Sequence, residues 1–304
     1  MKASKLPIAY ASPFVPPEWI AAHGCTPVRV VPQAARDARF DGQGVCYYCH
    51  SLAEDLCREA GASGVVLTTT CDQMRRMAER VALEIPKPVF LLNVPATWRS
   101  ESSRALYRAE LLRLGDFLVE LGGQHPSQSE LAALVSMYDE QRAASRSAGT
   151  VQAPRETDGI PLALLGGPAI REHEGILTCI RQAGGHVTLD GRTGAERTRP
   201  RPINRDLLQH DPISALADAY FDYIPDAFRR PNNRLFDWLD SAVSARALRG
   251  AIVGHYVWCD LWRAEAFRIK ERIAVPCLVI EYDEAPEISE RTASRIHAFL
   301  ETLQ

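Results

Sequence analysis

Seven short runs rich in β-branched and aliphatic residues recur along the chain: TPVRVV (26–31), GVVLTT (64–69), KPVFLLNV (87–94), PLALLGG (161–167), HVTLD (186–190), GAIVGHYVW (250–258) and PCLVIEY (276–282). Each is followed by glycine or polar residues and then by apolar residues at helical spacing. A run apolar at successive positions puts hydrophobic side chains on both faces of a strand, so the strand must be covered on both sides. Parallel strands also need long crossover connections, which the intervening helical stretches supply. An α/β fold with parallel sheets is the expectation.

Between the two groups of strands lies a long helical stretch over 100–146, containing ALYRAELLRLGDFLVELGG and SELAALVSMYDEQRAASR. In the second, Ser127 and Glu130 bracket a capping box, with Leu131, Leu134, Val135 and Tyr138 following at helical spacing. The segment AGTVQAPRETDG (148–159) then turns polar, with glycine and proline, and reads as a linker. The expected division is an N-terminal α/β domain with a helical extension over 1–147, a linker over 148–159 and a C-terminal α/β domain over 160–304. In such sheets ligands bind at the carboxyl ends of strands, which singles out the residues just after each run.

The chain has 304 residues, of which 46% are apolar, 24% charged and 8% aromatic, an ordinary globular balance. Lys plus Arg (35) nearly balances Asp plus Glu (38) for a net charge of −3, which gives no electrostatic case for nucleic acid or an anionic membrane surface. No stretch approaches the roughly 18 uninterrupted apolar residues of a membrane span. Pro7, Pro13, Pro16 and Pro17 break the N-terminal apolar segment, unlike a secretory signal. A cytoplasmic protein is expected, with a small molecule or another protein as its partner.

In a reducing compartment the eight cysteines are not a disulfide framework. Cys179 and Cys277 lie in apolar runs and read as buried thiols acting as small hydrophobes, with Cys25 and Cys57 close behind. Two others satisfy the strand-end criterion. GVVLTTTCDQMRRMAERV runs strand, threonines, Cys71-Asp72, amphipathic helix; GAIVGHYVWCDLWRAEAFRIKERI repeats this with Cys259-Asp260. Cys46, in GVCYYCHSLAEDL, adds a third thiol near a helix start. A thiolate at a helix N-terminus is stabilised by free N–H groups and the helix dipole. Three thiolates drawn from two domains suit the soft chemistry of an iron–sulfur cluster.

Two other readings of these thiols compete. A closed zinc site usually pairs two CxxC or HxxxH knuckles in one module, and Cys46/Cys49 has no second close pair. A thioredoxin-like CxxC should follow a strand, and RDARFDGQGV ahead of CYYC is polar and glycine-rich.

With these segments assembled, the chain resembles the 2-hydroxyacyl-CoA dehydratase family, which includes the subunits of ATP-dependent benzoyl-CoA reductase. FVPPEWIAAHGCTPVRV is similar to the family's opening segment, CYYCHSL to its first cysteine segment, TTTCDQMRR to the second and YVWCDLWRAE to the third. GGPA (166–169), AGGHVTLDGRTGAER (183–197) and TASRIHAFLETL (292–303) match in kind, so the likeness spans most of the chain.

The resemblance implies two Rossmann-like (flavodoxin-like) domains with a 4Fe-4S cluster between them, held by Cys46, Cys71 and Cys259. It implies a homologous second subunit or a homodimer, an ATP-hydrolysing iron–sulfur activator that delivers a low-potential electron, and an acyl-CoA substrate reduced to a ketyl radical anion. No GxxxxGK[ST] occurs here, so ATP belongs to the partner. This chain is shorter than family members usually are, with a tighter Cys46–Cys71 interval. Cys49 stands where the family has a small or apolar residue, and is the candidate fourth ligand that would close the cluster for electron transfer or serve a double-cubane-type reductase. Gly191-Arg192 replaces a cysteine often seen in the second-domain motif. Tyr256, Trp258 and Trp262 are candidates for an apolar shell; Glu18, His50, His255 and Arg197 are candidates to contact substrate; Asp72 and Asp260 read as helix caps. The acid–base residues and the acyl group are not named by the sequence.

Overall fold

The computed structural model describes residues 6–36, 44–58, 61–151, 159–282 and 287–304, with the backbone alone for 146–151. All seven apolar runs become strands. In chain order the elements are β1 (Pro7–Tyr10), α1 (Pro17–Ala22), β2 (Thr26–Arg29), α2 (Tyr47–Arg58), β3 (Gly64–Thr68), α3 (Asp72–Glu84), β4 (Val89–Leu92), α4 (Glu101–Glu120) and α5 (Gln128–Val151). There follow β5 (Ile160–Gly166), α6 (Gly175–Gln182), β6 (Gly185–Gly191), α7 (Arg205–His210), α8 (Pro212–Tyr220), α9 (Asn233–Ser244), β7 (Gly250–Tyr256), α10 (Asp260–Arg272), β8 (Cys277–Tyr282) and α11 (Glu290–Glu301). Strand β1 is the addition to the sequence reading. It is four residues long and set among prolines, which hid it, yet Ile8 and Ala9 are fully buried.

The chain forms two compact units, and neither is a single stretch. One comprises residues 1–30, 56–155 and 200–224, the other 31–55, 156–199 and 225–304. Of the expected linker 148–159, residues 152–158 lie outside the described residues.

In the first unit the strands pair in parallel in the order β2-β1-β3-β4. Val65, Val66, Leu67 and Leu92 are almost fully buried, as are Leu111, Leu114 and Leu118 of α4, the helix that packs on β4. The capping box forms as expected at the start of α5: the Ser127 N–H donates to Glu130 Oε2 at 2.8 Å, and the Glu130 N–H donates back to Ser127 Oγ at 3.3 Å. The 200–224 segment is anchored to α4 by ion pairs, Arg104 to Asp222 at 3.0 Å and Arg108 to Asp211 at 2.9 Å. Tyr107 stacks on Phe221 and donates its hydroxyl to the Phe14 carbonyl at 2.8 Å.

In the second unit the order is β6-β5-β7-β8, again all parallel. Counted within each unit, both sheets therefore run second-first-third-fourth. That is the order of a flavodoxin-like half, with its topological switch between the first and third strands. The core gathers Ala163, Leu165, Leu189, Val253, Phe236, Leu239 and Trp262. Gly166, at the end of β5, has φ +148°, and a Cβ there would run into the carbonyl oxygen of Gly254 on β7, so only glycine closes the two central strands this tightly.

The 31–36 segment is extended but pairs with no strand, so side chains must meet its backbone N–H groups. Asp55 accepts from the Gln33 N–H at 2.8 Å, Glu172 from Ala34 at 2.9 Å, Ser51 from Ala35 at 3.2 Å and Glu54 from Arg36 at 2.8 Å. The Pro32 carbonyl in turn accepts the Arg171 N–H at 2.8 Å. The bonds to Ser51, Glu54 and Asp55 hold the segment against α2, and those with Glu172 and Arg171 tie it to the rest of the second unit.

Candidate metal centre

Strands β3 and β7 are the third strands of their sheets, and both Cys-Asp dipeptides follow them directly. In each case the cysteine, not the aspartate, is the N-cap residue. Cys71 caps α3, its sulfur accepting the Met74 N–H at 3.3 Å, and Cys259 occupies the N-cap position of α10 without a side-chain capping bond. The aspartates are the first helical residues instead. Asp72 is exposed and pairs with Arg75 at 3.1 Å, and Asp260 is exposed. The correction is small but has chemical weight, because the cap position aims a side chain at the free N–H groups of the first turn.

Within the second unit, Cys46 lies at the head of α2, 5% exposed, with Cys49 one turn further on at 2%. Hydrogen bonds from the Cys259 and Cys49 thiols, in that order of effect, hold the Cys46 thiol well below its ordinary pKa against the opposing cost of burial. Backbone N–H groups of Cys49 and Tyr48, at the start of α2, add to this. Three thiols from two distant parts of the chain thus converge, and the hydrogen bonds they make favour the deprotonated form of Cys46. Cys71 belongs to the first unit.

The remaining thiols behave differently. Burial raises the pKa of Cys25 and Cys179, and pushes that of Cys277 up to about 11. Apolar surroundings with no donor favour the neutral thiol, as expected for structural cysteines.

Among the described residues no group of three or more His, Cys, Asp or Glu is arranged to hold a single metal ion. The fit to a metal therefore rests on the chemistry of the donors: the clustered soft sulfurs of Cys46, Cys49 and Cys259, with the pKa of Cys46 lowered, and one more, Cys71, at a helix N-terminus.

An aromatic nest adjoins these thiols. The Tyr256 ring meets those of Tyr47 and Tyr48, each at 6.4 Å between centroids, and stacks on His173 at 5.5 Å; His173 stacks on Tyr282 at 4.7 Å. The Tyr256 hydroxyl accepts the Ile170 N–H at 3.0 Å and shares a hydrogen with His173 Nδ1 at 3.1 Å. Burial pushes its pKa well above the usual phenol range, so it stays neutral. Of the expected apolar shell, Tyr256 and Trp262 are buried, whereas Trp258 is 40% exposed. The Tyr-Tyr dipeptide beside Cys46 is a local signal of this nest; His173 and Tyr282 carry none, since they arrive from other elements.

The four candidate substrate contacts are all buried. Arg197, 1% exposed, donates to the carbonyls of Gly191, Pro225 and Gly166 and to Asp226 and Thr193, with its guanidinium over Trp262. Glu18, in the first unit, binds Arg142 at 3.0 Å and accepts from the Tyr220 hydroxyl at 2.8 Å. His255 donates through Nδ1 to the Tyr256 carbonyl at 3.0 Å. Arg192, in place of the family cysteine, bridges Asp190 at 2.6 Å and Glu174 at 2.8 Å.

The family model described as 2-hydroxyglutaryl-CoA dehydratase, D-component, matches residues 13–162 and 146–303. The chain is 23% identical over 287 residues to the "Putative dehydratase subunit YjiM" of Escherichia coli (strain K12), covering 79% of this chain and 74% of that protein. Among solved structures, a GTP-binding protein from Sulfolobus solfataricus in complex with GDP aligns over 99% of this chain and 100% of its own. Its identity is 9% and its TM-score 0.25, a likeness too low to bear on fold or activity. No helix among the described residues is long and apolar enough to cross a membrane.

Proposed function

Because the chain belongs to the 2-hydroxyglutaryl-CoA dehydratase D-component family, we propose that it is the iron–sulfur subunit of a 2-hydroxyacyl-CoA dehydratase-type enzyme, with Cys46, Cys71 and Cys259 as ligands of a 4Fe-4S cluster. The observation that carries the reading is the convergence of the Cys46, Cys49 and Cys259 thiols, with the other two donating to Cys46 and lowering its pKa. Deprotonated sulfur is the form that binds iron. Cys71, a helix-capping sulfur that already accepts a backbone N–H, supplies the third donor.

When bound, such a cluster supplies low-potential electrons and a Lewis-acidic iron for the thioester carbonyl. The chain's own contribution is to hold the thiolates and to border them with a dry aromatic wall, which protects a radical substrate from water. Loss of a hydroxyl and a proton as water leaves the substrate at its original oxidation level, so an electron received from an ATP-dependent activator is returned after each turnover. A homologous second subunit, or a second copy of this chain, completes the enzyme.

A second reading comes from Cys49. Its thiol donates to Cys46, so it is placed to act as a fourth ligand, which would turn the subunit to electron transfer or to reduction of the benzoyl-CoA reductase or double-cubane kind.

Anaerobic purification with iron and sulfide analysis tests both. About four irons per chain, lost in Cys71→Ala, are expected; a colourless, iron-free protein under strict anoxia refutes both. A cluster spectrum unchanged in Cys49→Ala and shifted by an acyl-CoA supports the dehydratase. A changed spectrum with no response to thioester supports the closed cluster.

A further inference from the structure

The convergence of Cys46 and Cys259 raises a question that the ligand set does not answer: what holds a thiol of the 31–55 segment against one that follows β7. Cys259 is placed by a tight turn in which its N–H donates to the carbonyl of Tyr256 at 3.0 Å. Cys46 immediately precedes Tyr47 and Tyr48, and both of those rings lie against the ring of Tyr256. The backbone of one residue thus locates one thiol and its side chain locates the other.

We infer that Tyr256 is a positioning residue that sets the separation of Cys46 and Cys259. This rests on the reading of those two cysteines as cluster ligands.

Tyr256 is itself fixed on three sides. Its hydroxyl is held by the Ile170 N–H and by His173. Its ring is backed by His173, which is stacked in turn on Tyr282 with an interplanar angle of 25°. The Tyr282 hydroxyl is buried and makes no hydrogen bond, so packing alone holds that ring. Gly254 permits it, because a Cβ there would stand 2.6 Å from the Tyr282 hydroxyl. These ring contacts share one hub. Changing the Tyr256 side chain leaves the carbonyl that holds Cys259 and releases Cys46 from its place beside it, whereas changing an ordinary core residue of the same unit releases neither.

The test reads thiol separation directly, without iron. The full-length chain carrying Cys49→Ser is stripped of metal under reductant and treated with dibromobimane, which fluoresces strongly only after bridging two neighbouring thiols; peptide mass spectrometry identifies the Cys46–Cys259 bridge. Tyr256→Leu is expected to slow bridging about tenfold. Tyr256→Phe keeps the ring and loses only the hydroxyl tie, and is expected to slow it about threefold. Leu189→Ala, a core truncation in the same unit, is expected to lower thermal stability and leave bridging at the parental rate. Parental bridging in a folded Tyr256→Leu, or equal slowing in Leu189→Ala, overturns the inference. If Tyr256→Leu does not fold, Tyr256→Phe decides, and an unchanged rate there overturns it. Iron and sulfide content of the anaerobically purified parent and variants is measured in parallel. An iron-free parent with Tyr256-dependent bridging refutes the cluster and leaves the positioning role, while a loaded parent with Tyr256-independent bridging does the reverse.

Discussion

Replacing Arg197 by methionine distinguishes a structural role from a substrate contact, because the structure gives this side chain no freedom to do both. Methionine preserves most of the stem that packs near Trp262 and removes the guanidinium. The change strands the carbonyls of Gly191, Pro225 and Gly166, which now receive bonds at 2.8, 2.5 and 3.3 Å, and leaves Asp226, paired at 2.8 Å, without its cation. Breaking a buried charge pair costs about 3–5 kcal/mol, and each stranded buried acceptor about 1–3 kcal/mol when nothing replaces the donor. Asp226 retains 13% side-chain exposure, so water recovers part of its loss. A net destabilisation of at least about 3–5 kcal/mol is the balance we expect. With an m-value of about 3 kcal/mol/M for a chain of this size, the urea midpoint should fall by at least about 1–1.7 M. The assay is equilibrium urea unfolding followed by tryptophan fluorescence, with the Trp262 environment as the local reporter. A midpoint within about 0.2 M of the parent, a shift of under about 0.6 kcal/mol by the same m-value, would refute the reasoning and return Arg197 to the list of substrate contacts.

Further expectations concern acid stability, backbone crowding and helix initiation. His23 is buried, with Nδ1 donating to the Trp19 carbonyl at 2.8 Å; burial lowers its pKa, His125 opposes its charge and Asp116 favours it. The unfolded chain therefore takes up a proton that the folded one resists. Stability is intact above the unfolded value of about 6.5 and is lost below it, with a limiting slope of about 1.4 kcal/mol per pH unit; urea midpoints at pH 8 and pH 5 should converge in His23→Asn relative to the parent. Gly254→Ala places a methyl 2.6 Å from the Tyr282 ring and hydroxyl; a loss of about 1–3 kcal/mol with an altered near-ultraviolet tyrosine signal is expected, and an unperturbed melting temperature would contradict it. Ser127→Ala removes one side of the α5 capping box, for a loss of about 1 kcal/mol measurable in the same unfolding assay.

Much of the architecture is legible in local pattern. A strand covered on both faces must be apolar at successive positions, so the seven runs and the parallel α/β class can be read directly. The Ser127–Glu130 box is equally local, since its two bonds span three residues. Strand β1 escapes because four residues between prolines show no period. At the candidate site, the repeated Cys-Asp after a strand identifies Cys71 and Cys259, since helix capping is also local. The fates of Glu18 and Arg197 are not legible, because their partners lie far along the chain: Tyr220 and Arg142 for one, Asp226 and Trp262 for the other.

What the sequence determined by itself was therefore the strands, the helix starts and the Cys-Asp dipeptides that stand at two of them, all set by neighbours within a few residues. What only the tertiary structure decided was membership and meeting. Residues 31–55 are tied to the rest of the second unit where Glu172 accepts the Ala34 N–H and the Pro32 carbonyl accepts the Arg171 N–H. The same segment brings Cys46 and Cys49 to Cys259 and turns an apparent CxxC pair into part of a larger group of thiols. Hydrogen bonds and ring contacts across such separations leave no periodic trace, because they depend on where a chain returns and not on the residues beside it.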